Sequence, residues 1–256
     1  MTPSRIVAIV AILAALAGVG AYFLWPGVPP PPPPGPQMLP QPAAPKGPLH
    51  PLQPSAEALP SLKESDPTVF DALKRVLGAD NVAAIIIPED MIRNFVATVD
   101  NLPRDHFAMR MSPVHATGGL FKTAGSEDSL AIAPGNGARY QVYIAVLEKT
   151  DPAAVVALYA RLYPLFQQAY MELGFPDGYF NDRLIEVIDN LLASPEPKAP
   201  VKLVVPHVLY EYADSDLEAA SAGQKVLMRM GADNEARIKA KLREYRRELL
   251  ALPPPR

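Results

Sequence analysis

Residues 150–176 read "TDPAAVVALYARLYPLFQQAYMELGFP", and this stretch decides the fold class. Asp151 is suited to cap a helix start, Pro152 to occupy the first helical position, and Gly174 with Pro176 to end the run. This is the longest helix expected in the chain. Pro164 falls inside it and should kink it, because proline removes one backbone hydrogen bond. Tyr159, Tyr163, Phe166 and Tyr170 recur at +4, +7 and +11, on one helix face. Two readings of that face stay open. It is either a core stripe whose tyrosine hydroxyls find partners at its edge, or a groove for a peptide or glycan.

The same start and stop devices recur on either side. "SDPTVFDALKRVLG" (65–78) reads as a helix with Asp66 as cap, Pro67 in first position and Gly78 as stop. "PEDMIRNFVATVD" (88–100) reads as a helix from Pro88, with Glu89 and Asp90 at its positive end and Ile92, Phe95, Val96 and Val99 as its apolar stripe. "GYFNDRLIEVIDNLLASP" (178–195) buries Leu184, Ile185, Ile188, Leu191 and Leu192. Two final helices are expected over Leu217–Met230 and Asp233–Leu250, separated by Gly231. The β-branched run "VKLVVPHVLYEY" (201–212) reads as one or two strands broken at Pro206. About 40 residues from Asn101 to Tyr140 show no strong period, which marks them as functional, mobile or of structure hidden from periodicity. Residues 61–252 are therefore expected to form a mainly α, multi-helix globular domain with a minor β element.

A different composition precedes that domain. Residues 6–25, "IVAIVAILAALAGVGAYFLW", carry no charge. As a helix they span about 30 Å, the thickness of a bilayer's hydrocarbon core, and Tyr22 and Trp25 suit the interface. Arg5 with small Gly18 and Gly20 is the signature of a cleaved signal peptide, but the greasy run continues through Trp25 without a cleavage site, which favours a retained transmembrane anchor. Arg5 and the α-amino group flank one end, and the next positive side chain is Lys46. The positive-inside rule then holds the N-terminus in the cytoplasm and sends the remainder across. Residues 26–60 contain 15 prolines in 35 positions, a linker that can form neither helix nor central strand. As polyproline II it reaches at most roughly 110 Å. The stiff segment reads as a spacer that stands the domain off from the membrane, with a ligand for an aromatic groove as the competing reading.

Composition excludes several functions. The net charge is −3 and there is no cysteine among 256 residues, so neither a basic nucleic-acid face nor disulfide, thiol or Cys–metal chemistry is expected. The histidines are His50, His106, His115 and His207. No two have the i, i+4 spacing of a helical zinc site, so no metal or cofactor is expected. No GxSxG, Walker loop or GxGxxG occurs, and "PGNGARY" (134–140) lacks the lysine and hydroxyl of a phosphate cradle. The last helix sets Arg237, Lys239, Lys241, Arg243, Arg246 and Arg247 against Ile238, Leu242, Tyr245 and Leu249. It reads as amphipathic with a solvated basic face, an anionic partner being the alternative.

One polar stretch stands out. "VDNLPRDHF" (99–107) leaves an apolar helix and puts Asp100, Asn101 and Arg104 on a turn stiffened by Pro103. With Asn181 and Arg183 from "YFNDR" they form the candidate partner-binding patch, since an arginine fork can take a carboxylate through two hydrogen bonds. The competing reading is structural, with Asp100 and Asn101 bonding local backbone and Arg104 paired to an acid of the fold.

Three stretches, "FVATVDNLPR" (95–104), "LYPLFQQAYMELGFPDGYFNDRLIEVIDNLL" (162–192) and "VLYEYADSDLEAASAGQKVLMRMG" (208–231), resemble the uncharacterised bacterial family known as domain of unknown function 3014, over about residues 60–250. The resemblance implies an N-terminal membrane segment, a proline-rich linker and a periplasmic domain. It implies no activity and no ligand residue. The expectation is a single-pass inner-membrane protein whose periplasmic domain is a non-catalytic binding or scaffold module for an envelope protein or cell-wall component. The alternative is a cell-wall polymer hydrolase or transferase using carboxylates such as Asp100 and Asp182, because such a site needs no local motif.

Overall fold

The computed structural model describes residues 47–53, 58–105, 109–206 and 209–253. The expected anchor (6–25), most of the expected linker (26–46 and 54–57), His106 and His207 lie outside the described residues. Among the described residues, no helix is long and apolar enough to cross a membrane.

The domain is mainly helical with minor strands. The helices are α1 (Asp66–Leu77), α2 (Ala79–Ile85), α3 (Met91–Asn101), α4 (Gln141–Glu148), α5 (Pro152–Glu172), α6 (Phe180–Leu192), α7 (Ser215–Glu218), α8 (Ala222–Met230) and α9 (Ala232–Leu250). Strand β1 (Thr123–Ala124) pairs antiparallel with β2 (Ala131–Ile132), and β3 (Leu203–Val204) with β4 (Glu211–Tyr212). A bridge between Ala131 and Lys202 joins the two hairpins.

The quoted stretch forms α5, the longest of these helices, and Asp151 caps it by accepting the amide hydrogen of Ala153 at 3.1 Å. The helix runs through Pro164. Its aromatic face is core: Tyr159, Tyr163, Phe166 and Tyr170 are all buried. Phe166 packs edge-on against Phe95 of α3 at 5.4 Å and stacks on Phe180 of α6 at 5.8 Å. Burying one such ring contributes about 2–3 kcal/mol over leaving it in water. Helix α9 packs against α4, α5, α6 and α8, and α3 against α5 and α6. A smaller cluster of Phe121, Leu203, Tyr212, Ala220 and Met228 lies under the hairpins.

Several local expectations change. The residue before α1 in the capping position is Ser65, not Asp66. The Asp66 carboxylate instead serves α3, accepting from the amides of Asp90 and Met91 at 2.7 and 3.0 Å. Helix α3 starts at Met91 rather than Pro88, because Asp90 adopts a left-handed φ of 49° that cannot continue a helix. The single helix expected from Leu217 splits into α7 and α8, since Ser221 and Gln224 form a capping box that starts a new helix. The aperiodic region contains the β1–β2 hairpin, whose strands are too short to show alternation. Residues 47–53, within the expected linker, are held against the domain, with Leu52 in the main core.

Candidate functional site

The exit turn of α3 is built by its own backbone. The Asn101 side chain donates to the Ala97 carbonyl at 2.6 Å and the Arg104 amide to the Asn101 carbonyl at 3.0 Å. The turn also caps α8, because the carbonyls of Arg104 and Leu102 accept the amides of Ala222 and Gly223 at 2.7 and 2.8 Å. Two first-turn amides of α8 that have no partner within their own helix are thereby paired.

Asp100 is only 2% exposed and is held by two arginines. Arg183 Nε donates to its Oδ1 at 3.0 Å and Arg183 Nη2 to its carbonyl at 3.0 Å. Arg104 Nη2 donates to Asp100 Oδ2 and Arg104 Nε to the Asp100 carbonyl. Arg183 Nη1 also donates to Glu186 at 2.9 Å. Burial disfavours the charged Arg183, but its bonds to Glu186 and Asp100 outweigh this and raise its pKa further. Two cations and two anions make the cluster neutral, and a ligand carboxylate would compete with Asp100 and Glu186 for donors. Of the two arginines, Arg104 is the one offered to solvent, its side chain 53% exposed against 18% for Arg183, and the Glu186 carboxylate is exposed as well.

Asn181 belongs to a different network. It is 1% exposed, accepts from the Tyr159 hydroxyl at 3.2 Å and donates to the His50 carbonyl at 2.8 Å. Asp182 beside it accepts the amides of Leu49 and His50 at 2.9 and 2.7 Å. The five candidate residues thus divide. Asp100, Arg104 and Arg183 form one ionic cluster, Asn101 bonds locally, and Asn181 helps to grip residues 47–53. Acid–base work on a glycosidic bond needs carboxyl groups open to substrate, whereas Asp100 is shielded by guanidinium groups and Asp182 is occupied by backbone amides.

A cleft of about 550 Å³ lies between residues 132–141, residues 197–201 and the α8–α9 junction. "PGNGARY" forms part of its wall: Asn136 donates to the Arg229 carbonyl at 2.8 Å, and Asn234 to the Gly137 carbonyl at 2.9 Å. Several of the cleft's polar groups are already engaged. Arg237 grips Glu148 at 2.5 and 2.6 Å. Glu235, 1% exposed, lies 3.1 Å from Lys239, itself 2% exposed. Lys239 is therefore not on the solvated face of α9; it donates to the Ser194 carbonyl at 2.6 Å and to Glu196 at 2.8 Å. Burial raises the Glu235 pKa, against the opposing pull of Ser194 and Lys239. Among the described residues no group of three or more histidine or carboxylate side chains is placed to hold a metal ion.

Sequence reading missed the roles of Asp182 and Gln167. Gln167 accepts from Tyr163 OH and from the Phe180 amide, each at 2.9 Å, and donates to the Gly178 carbonyl at 2.8 Å. Tyr163 is the i−4 neighbour of Gln167 in α5, whereas Gly178 and Phe180 lie beyond the helix end and left no local signal. The i, i+4 spacing of Glu235 and Lys239 was a usable signal.

The model of a family described as "Protein of unknown function (DUF3014)" matches residues 91–246. That is more than half of the chain, and the protein belongs to this family. The matched span starts with α3 and includes the ionic cluster and the start of α6. No curated protein and no solved structure shows a significant match.

Proposed function

We propose that this is a single-pass inner-membrane protein whose periplasmic domain is a non-catalytic binding or scaffold module, stood off by its proline-rich segment. The charge-free run 6–25 and Arg5 support the placement. The observation that carries the binding reading is the occupation of the two carboxylates. Asp100 is saturated by arginines and Asp182 by backbone amides, so neither is free to shuttle protons for a substrate. What the cluster presents as a donor is the outer, Nη edge of Arg104, whose Nε side is fixed on a buried acid, and this edge suits an envelope protein or cell-wall component that carries carboxylates.

Two measurements test this. Alkaline phosphatase fused after Gly78 is expected to be active and β-galactosidase inactive; the reverse pattern sinks the placement. Crosslinking in living cells is expected to yield an adduct that Arg104→Ala loses while costing less than about 1 kcal/mol of stability. An adduct that survives the substitution removes Arg104 from the interface.

A further inference from the structure

We propose that the surface at the start of α6 is a binding site for a bent, proline-flanked peptide, and that residues 47–53 of this chain are its intramolecular ligand. The proposal rests on the reading of the domain as a binding module and names a ligand class for it. Among the described residues, every hydrogen bond between the segment and the start of α6 goes to main-chain atoms of the segment. Asp182 takes the amides of Leu49 and His50 at 2.9 and 2.7 Å, and Asn181 donates to the His50 carbonyl at 2.8 Å. Such a clasp reads backbone conformation rather than sequence, as peptide-recognition grooves do. The chain bends at Gly47, Leu49 and His50, which turns the successive amides of Leu49 and His50 toward one carboxylate, and Pro48 and Pro51 hold φ fixed on either side of that pair. One side chain supplies the anchor: Leu52 is 8% exposed in the core, while Leu49 is 69% exposed.

The receptor side is held without help from the segment. Gln167 fixes the Phe180 amide and the Gly178 carbonyl, and Tyr159 holds Asn181 Oδ1. Asn181, at 1% exposure, needs an acceptor for its amide, and the His50 carbonyl fills that need. A partner peptide with the same features would compete with the tether for Asp182. Its binding would free seven residues and lengthen the standoff by up to about 20 Å.

The test uses the full-length chain carrying His50→Pro, which deletes one clasped N–H and leaves the receptor residues intact. Amide exchange at Leu49 is expected to quicken at least about tenfold. A labelled peptide of residues 46–53 should then bind saturably, with a dissociation constant on the order of 0.1 mM, because a covalently linked ligand acts at roughly millimolar effective concentration and a tenfold effect needs a site about tenfold tighter than that. Wild-type chain should bind it about tenfold more weakly, and His50→Pro combined with Asp182→Ala should not bind it. Unchanged exchange, absent binding to a folded His50→Pro chain, or binding that ignores Asp182→Ala would each overturn the proposal. A parallel Leu52→Ser chain, which keeps both amides but empties the apolar seat, carries the same test if His50→Pro does not fold. Binding is measured in solution, so a cytoplasmic location would sink the envelope reading and leave this site standing.

Discussion

The carboxylate of Asp66, in the first turn of α1, accepts the amide hydrogen of Met91, the first residue of α3, at 3.0 Å. Its other oxygen takes the amide of Asp90 at 2.7 Å. One helix thus supplies the cap of another 25 residues away, where Asp90 makes no side-chain cap of its own. Asp66→Ala is expected to lower the unfolding free energy by about 1–2 kcal/mol, the usual worth of a capping side chain, and Asp66→Asn by less. Urea unfolding of the two variants checks this, and equal stability of Asp66→Ala and wild type would refute the cap.

Arg183 and Arg104 share Asp100 but differ in burial. Arg183→Met is expected to cost about 2–4 kcal/mol, because it strips a partner from a buried carboxylate. Arg104→Ala should cost less than about 1 kcal/mol, since its side chain is more than half exposed. Chemical denaturation of both variants gives the comparison; equal losses would show that Arg104 is as structural as Arg183.

Gly223 lies where α8 crosses the α3 exit turn. A Cβ there would come within 2.6 Å of Leu191 Cδ2 and 3.2 Å of the Leu102 carbonyl oxygen. Gly223→Ala is therefore expected to destabilise by about 1–3 kcal/mol through overpacking, although alanine is the better helix former. A gain in melting temperature would show that the crossing has room.

Glu235 gives the stability a pH dependence of definite sign. Burial raises its folded pKa above the ordinary 4.5, with Ser194 and Lys239 opposing. The folded state then binds the proton more tightly than the unfolded chain, so this residue's contribution falls as pH rises from about 4.5 through the folded pKa. The unfolding free energy of wild type minus that of Glu235→Gln should therefore decrease over that window. A difference that stays flat, or rises, contradicts the burial argument. Glu196 and Lys239 face the same carboxyl, so measurements at constant ionic strength are needed.

Periodicity and punctuation made much of the fold legible. Asp151, Pro152 and Gly174 bracket α5 because caps and breakers act within a few residues, and the Tyr159–Tyr170 stripe was visible at helical spacing. The β1–β2 hairpin was not legible, since two-residue strands carry no alternation. Nor was the burial of Lys239, which sits among six basic residues that look uniformly solvated. Of the candidate site, the pairing of Arg104 with an acid was open in the sequence as the structural reading. Its identity as Asp100, and the second grip from Arg183 across 83 residues, were not.

The chain's sequence by itself determined the charge-free run, the proline-rich stretch, the absence of cysteine and the positions of most helices, because these depend on residue type and on neighbours within a turn or two. Tertiary structure alone decided which charges are buried and whom they serve. Asp66 could as well have capped its own helix, and Asp182 could have met solvent. Each is engaged as it is because packing of the apolar faces brought backbone amides of a distant segment to its carboxylate, where a bond to an ionised acceptor is stronger than a neutral one.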